Sequence, residues 1–168
     1  MQLKTINKER YRSRLHRIML ASILALAGIS LGSSTLLIQL FSEPGAGNFW
    51  LNATGVLIGC LVVGAALKQL KSHPYFFEVA YIWDLKHELN LIQRKLKHIS
   101  RAADQLDPTA LTILAFSYAG SRLIWQLDDN TLVLSELNQT DNALQQQIAE
   151  AGLQIEPSHY QRQMLDKF

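Results

Sequence analysis

The stretch IMLASILALAGISLGSSTLLIQLFS, residues 18–42, decides the fold: its 25 residues carry no charge. One acid follows, Glu43, and then a second charge-free stretch of 24 residues, PGAGNFWLNATGVLIGCLVVGAAL, residues 44–67. A helix that crosses a bilayer needs ~20 mostly apolar residues, so both runs are long enough. The chain has 168 residues, of which 48% are apolar and 18% charged. An average soluble domain has about 25% charged residues. So apolar a chain excludes disorder as its main state, and the concentration of apolar residues in two runs excludes an ordinary soluble domain.

Charge around the runs gives a topology. Residues 1–17 hold Lys4, Lys8, Arg10, Arg12, Arg14 and Arg17 against Glu9, a net +5. Lys68 and Lys71 follow the second run, while the connecting segment Ser42–Asn48 holds only Glu43. Positive charge near span ends stays cytoplasmic, so both termini are expected in the cytoplasm and the turn outside. Phe41, Phe49 and Trp50 flank the turn as an aromatic belt does. Glu43-Pro44-Gly45-Ala46-Gly47-Asn48 is strong turn chemistry. Ala25-Leu26-Ala27 resembles a leader cleavage site, but the apolar run continues well past it and is read as a retained span. Leu57-Ile58-Gly59-Cys60 resembles a lipidation box but sits inside the second run. Cys60 is the one cysteine, so no intrachain disulfide and no thiol-rich metal site is expected.

Small residues recur along the first run at Ala21, Ala25, Gly28, Gly32 and Thr35, and along the second at Gly55, Gly59 and Gly64. Small side chains let helix backbones approach closely in lipid. The expectation is packing within the hairpin, with contact between copies as the alternative. Neither span holds an Asp, Glu, Lys, Arg or His, which argues against an ion path. Arg12, Arg14, Arg17, Lys68 and Lys71 are candidates for contact with lipid head groups.

Beyond the spans, Pro74 suits the first turn of a new helix. Tyr75, Phe76, Phe77, Tyr81 and Trp83 crowd the region after it, as core or as interfacial anchor. Ile82, Leu85, Leu89, Ile92, Leu96, Ile99, Ala103 and Leu106 alternate at spacings of three and four, a heptad seam within a helix from about 74 to 105. Trp83 and Leu91 widen the stripe, which suits a bundle better than a two-stranded coiled coil. Asp107 and Pro108 restart the chain as a cap and first position, opening a helix through Gly120 to Leu127 that is apolar almost all round. Asp128-Asp129-Asn130 is a break, and residues 131–137 fit a short helix better than a strand. Thr140 is expected to cap a helix over residues 141–151 that stops at Gly152, and Pro157 to open a last helix over 158–167. Residues 68–101 carry a net +4 and residues 102–168 a net −6. Arg94, Lys97 and Arg101 lie away from the seam, as a solvated face or paired with the acidic half; nucleic acid is not expected on so few charges.

Little chemistry is encoded locally. His87-Glu88 fails as a zinc-protease motif because Leu91 stands where the second His belongs, and both are read as an exposed helix face. Asp84 with His87 and Glu156 with His159 have the spacing of di-metal bundles, but the apolar helix between them supplies no bridging carboxylate. No metal or cofactor is expected, and no phosphate-binding glycine loop or nucleophile elbow is present.

The segments His73–Tyr81, Ala110–Phe116 and Leu127–Leu132 resemble an uncharacterised bacterial family of small proteins with two N-terminal spans and a helical cytoplasmic part. The resemblance implies a bacterial inner membrane location and assigns neither an activity nor functional residues. The expected protein is all-α: a basic segment at 1–17, a transmembrane hairpin at 18–67 with spans at about 18–41 and 49–67, and a cytoplasmic helical bundle at 68–168. Its expected role is that of a non-enzymatic accessory, scaffold or assembly protein with a protein partner besides the bilayer, acting through the 82–106 helix. The alternatives are a tethered enzyme or sensor with a pocket among Tyr81, Trp83, Tyr118 and Trp125, and a homo-oligomeric membrane complex.

Overall fold

Both charge-free runs fold as helix and extend beyond their apolar limits. The computed structural model describes residues 1–43, 47–130 and 132–168. Helix α1 spans Lys8–Phe41 and α2 Phe49–Leu70; a 3-10 turn at Pro74–Phe76 leads into α3, Phe77–Asp104. Then come α4, Pro108–Leu127, and α5, Leu134–Glu150, and two further 3-10 segments, Pro157–His159 and Arg162–Lys167. No strand occurs among the described residues. The chain forms two units, residues 9–80 and residues 1–8 with 81–168. The second unit thus starts later than residue 68 and includes the extreme N-terminal segment.

In the first unit α1 and α2 are long and apolar enough to cross a membrane, and only 6% and 11% of their most apolar windows are buried. They approach each other through Leu26, Ser30 and Ser34 of α1 against Gly55 and Gly59 of α2. A Cβ on Gly55 would lie 2.7 Å from the Ser34 backbone nitrogen, so no side chain fits there. The Ser34 hydroxyl bonds the Asn52 amide oxygen across the pair. Ser22, Thr35 and Thr54 donate instead to carbonyls one turn back, Ile18, Leu31 and Trp50, at 2.7–2.8 Å. That satisfies hydroxyls without water. Ser42 Oγ donates to Asn48 Oδ1 at 2.8 Å across the turn, whose residues Pro44, Gly45 and Ala46 lie outside the described ones.

The small-residue stripe therefore divides. Gly55 and Gly59 make the close contact, but Gly28, Gly32 and Gly64 have nothing within 4 Å of where a Cβ would stand. Two residues along a helix turn the face by about 200°, so the Ser30–Ser34 row and the Gly28–Gly32 row point in nearly opposite directions.

In the second unit α4 is the centre. Ala110, Leu111 and Ile113 to Phe116 are buried, as are Ile124 and Leu127. Helix α4 packs on α5 and on both C-terminal 3-10 segments. It meets α3 at Gly120, where a Cβ would come within 3.2 Å of Leu85 and 3.3 Å of Leu89. Three helix ends turn through left-handed residues: Leu106 (φ 61°), Asp129 (φ 56°) and Gly152 (φ 64°). Each is followed by a residue whose N–H reaches back to a last-turn carbonyl, as Leu153 does to Ile148 at 3.1 Å. The N-terminal segment joins this unit. The Tyr81 hydroxyl accepts from Lys4 N at 2.8 Å and donates to the Gln2 carbonyl at 3.1 Å. Lys8 pairs with Asp129.

Two further boundaries differ from the sequence reading. Helix α5 starts at Leu134, and Thr140 lies inside it with its hydroxyl on the Glu136 carbonyl at 3.0 Å. Burial of Leu137 together with Leu144 and Ile148 outweighs the capping preference. The last helix is broken at Tyr160 and Gln161, both extended, which turns the Tyr160 ring inward onto Phe116 with centroids 4.1 Å apart.

Gly55→Val is expected to lower the melting temperature of the detergent-solubilised chain, at an overpacking cost of about 1–3 kcal/mol. Gly28→Val is expected to leave it unchanged. An equal loss in Gly28→Val would mean that copies pack through that stripe.

Candidate interaction surface

Helix α3 is amphipathic, and its apolar face is used up inside its own unit. Ile82, Leu85, Ile92 and Ile99 are at most 2% exposed, and Leu89 and Leu96 are half-buried. The seam from Ile82 to Ala103 thus contributes to the core of its own unit, while Leu106 at its end is 42% exposed.

The opposite face is polar and basic. Trp83, His87, Asn90, Arg94, Lys97 and Arg101 follow one another at spacings of four and three, and all are exposed. The row from Trp83 to Arg101 is ~27 Å long at 1.5 Å per residue. Between the exposed acids Asp84 and Asp104, every exposed ionisable side chain of α3 is a Lys, Arg or His. Two other cations of α3 are engaged within the unit: Lys86 pairs with Asp128 at 2.9 Å and Lys95 donates to the Leu165 carbonyl at 2.8 Å. Arg94, Lys97 and Arg101 make no ion pair among the described residues. Part of the acidic half is engaged with other cations. Asp129 holds Lys8, Asp141 holds Arg122, and Asp107 holds Lys167. Chiefly that Lys167 hydrogen bond keeps the Asp107 carboxyl below its usual range, and Asp107 also caps α4 by accepting from Ala110 N at 3.0 Å. At the far end of the row a cavity of about 270 Å³ is lined by His98, Arg101, Gln105 and Lys167.

Beneath this face lies a group the sequence did not reveal. The sequence pattern places Glu88 with His87 on an exposed face, yet it is 3% exposed. It accepts from the Tyr160 hydroxyl at 2.8 Å and from Arg162 Nε at 3.0 Å, with Arg162 Nη2 on the same carboxylate. Burial alone pushes the Glu88 carboxyl up; the hydrogen bonds from Arg162 and Tyr160 outweigh it and hold it below the usual range. Burial, and then Glu88 itself, push the Tyr160 phenol well above its ordinary value. These partners lie more than seventy residues from Glu88, so no local spacing signals them.

Other sequence candidates fall in different places. In the hairpin unit Arg14 is bonded to Glu78 and to the Pro74 carbonyl and stacks on Tyr75, with Arg10 also near Glu78. Arg14 is thus engaged within the hairpin unit by a buried acid. Arg12 and Lys71 are exposed and carry interactions within the protein. Arg17 and Lys68 are exposed without an ion pair among the described residues. Tyr81 is buried and Trp83 is 65% exposed, and cavities of about 480, 410 and 270 Å³ are lined by other residues than Tyr81, Trp83, Tyr118 and Trp125. Among the described residues no three His, Cys, Asp or Glu side chains stand together as metal ligands.

Residues 1–165 match the family model described as "Protein of unknown function (DUF3087)". No curated protein and no solved structure matches.

A carboxylate with a depressed pKa stabilises the fold above its unfolded value of about 4.3 and loses that contribution as pH falls through the folded value. The melting temperature is therefore expected to fall on acidification below pH ~4. Glu88→Gln should lower it at neutral pH by removing a charged hydrogen-bond set worth roughly 2 kcal/mol, and should flatten the acid dependence. An unchanged melt for Glu88→Gln would show that the cluster is not structural.

Proposed function

The chain belongs to the DUF3087 family, and we propose that it is a bacterial inner-membrane accessory or assembly protein that presents a cationic helix face to an acidic protein partner. The hairpin α1–α2 is the anchor. Its exposed residues include Ile23, Leu24, Leu31, Leu57 and Leu61, each more than half exposed. Such a surface is stable in lipid and a liability in water. The excess of Lys and Arg at the outer ends of the hairpin supports cytoplasmic termini.

One observation carries the interaction reading: Arg94, Lys97 and Arg101 form an exposed row with no ion pair among the described residues, while Asp107, Asp128, Asp129 and Asp141 are paired with other cations. Unpaired like charges in a row repel one another, and an acidic partner relieves that repulsion. Trp83 at the start of the row adds an aromatic anchor of the kind enriched at binding hot spots. A nucleic acid is disfavoured because the face offers few phosphate contacts.

Affinity purification of the tagged full chain from native membranes in mild detergent tests this. A stoichiometric partner should be retained by the wild type, lost in the Arg94→Glu, Lys97→Glu, Arg101→Glu variant, and weakened by salt. The same partners in both preparations would sink the assignment of this face. For topology, a fluorescent reporter fused after Phe168 should read cytoplasmic; a periplasmic signal would reverse the layout.

A further inference from the structure

The contact between α1 and α2 is tight at Ser30 and Ser34 and opens toward the basic end of the hairpin. There a groove of about 410 Å³ lies between Ala21, Ala25 and Ile29 of α1 and Val63 and Ala66 of α2. Tyr75 and Phe76 line it together with Arg17. Its size is within the range of sites that take organic ligands, ~300–1,000 Å³.

Three features identify an occupant. The first is length. From Arg17 to Ile29 the helix rises ~18 Å, close to one leaflet of a ~30 Å hydrocarbon core. The second is lining. Alanines stand where larger side chains would fill the space, and an apolar void forfeits dispersion contacts that a flexible hydrocarbon chain restores. The third is charge. Arg17 is exposed at the basic end and makes no ion pair or hydrogen bond among the described residues, whereas Arg14, three residues earlier, is held by Glu78. A guanidinium binds phosphate oxygens in pairs, and aromatic rings such as Tyr75 sit at head-group level. Lys68 and Lys71 end α2 on the same side and raise the preference for net negative charge.

We propose that this groove binds one anionic phospholipid, with an acyl chain between α1 and α2 and the phosphate on Arg17. The proposal rests on the membrane reading above and adds a specific ligand to it.

The test is native mass spectrometry of the full chain released from nanodiscs holding equal amounts of phosphatidylglycerol and phosphatidylcholine of the same chain length. The wild type should retain one phosphatidylglycerol in preference to phosphatidylcholine. Arg17→Gln should reduce that preference about tenfold, the loss of a bidentate charged contact. Ala25→Phe, which fills the groove, should reduce retention of both lipids. Leu24→Phe, outside the groove, should change neither, and equal melting temperatures would show that all variants are folded. Equal retention of the two lipids by the wild type, or retention unaffected by both groove variants, overturns the proposal. Extraction of the native membranes with alkaline carbonate separates the two readings. A protein that washes off overturns the anchor and the lipid site together. One that stays embedded without lipid preference overturns only the lipid site.

Discussion

A carboxylate removed from water must have its charge answered nearby, and Glu88 imposes that condition on the helical unit. It sits on the buried side of α3 at 3% exposure. Its partners, Tyr160 and Arg162, come from the last dozen residues of the chain. To reach it, the C-terminal segment gives up a continuous helix and runs extended through Tyr160 and Gln161 between two 3-10 segments. The same turn lays the Tyr160 ring on Phe116, in the middle of α4. A buried ion pair contributes little net stability against an apolar alternative, but an unanswered charge there is strongly unfavourable. The arrangement therefore favours one placement of the C-terminal segment over others that bury similar apolar area.

That placement bears on the surface. Once α4 and the C-terminal segment cover the apolar side of α3, a helix that looks like half of a coiled coil has only its polar side to offer. Four of the nine acids in residues 102–168, Asp107, Asp128, Asp129 and Asp141, pair with Lys167, Lys86, Lys8 and Arg122. Four acids answer four cations from other positions, and none of them is left for Arg94, Lys97 or Arg101. The net charges of the two segments suggested mutual neutralisation, but the pairing follows proximity and leaves the basic row open.

The legible parts were those with a long, repeated signal. Two charge-free runs, a heptad row over Ile82–Leu106 and the Asp107-Pro108 restart place four helices, because each signal is local and summed over several turns; three are placed to within a few residues, while α1 begins at Lys8, ten residues before its apolar run. The errors lie where a distant contact decided. Thr140 has the chemistry of a cap, but Leu137 is buried, so the helix continues through it. Pro157 is a helix opener, yet Tyr160 is needed at Glu88. Gly28 and Gly32 satisfy the small-residue pattern as well as Gly55 and Gly59 do. Only the rotation of one helix against the other, which no single-chain pattern encodes, selects between the two rows. The basic face was half legible. The residues could be placed opposite the seam, but whether acids cover them is a tertiary fact.

Embedded in a bilayer, as proposed, the hairpin would follow a stricter rule than the helical unit. In water an unpaired hydroxyl finds a solvent partner; in hydrocarbon it has only the protein. Ser22, Thr35 and Thr54 turn back on their own helices, and Ser34 crosses to Asn52. Ser30, buried against Gly59, has no partner among the described residues. Its position explains why that is tolerated. Gly59 brings the two backbones together around Ser30, and the dispersion gained by the close approach works against the cost of the buried, unpaired hydroxyl, about 1–3 kcal/mol. The contact that holds the hairpin is thus made by shape at Gly55 and Gly59, with polarity in a supporting place. Larger side chains at those two glycines would cost the close approach and, with it, the reason for burying Ser30 at all.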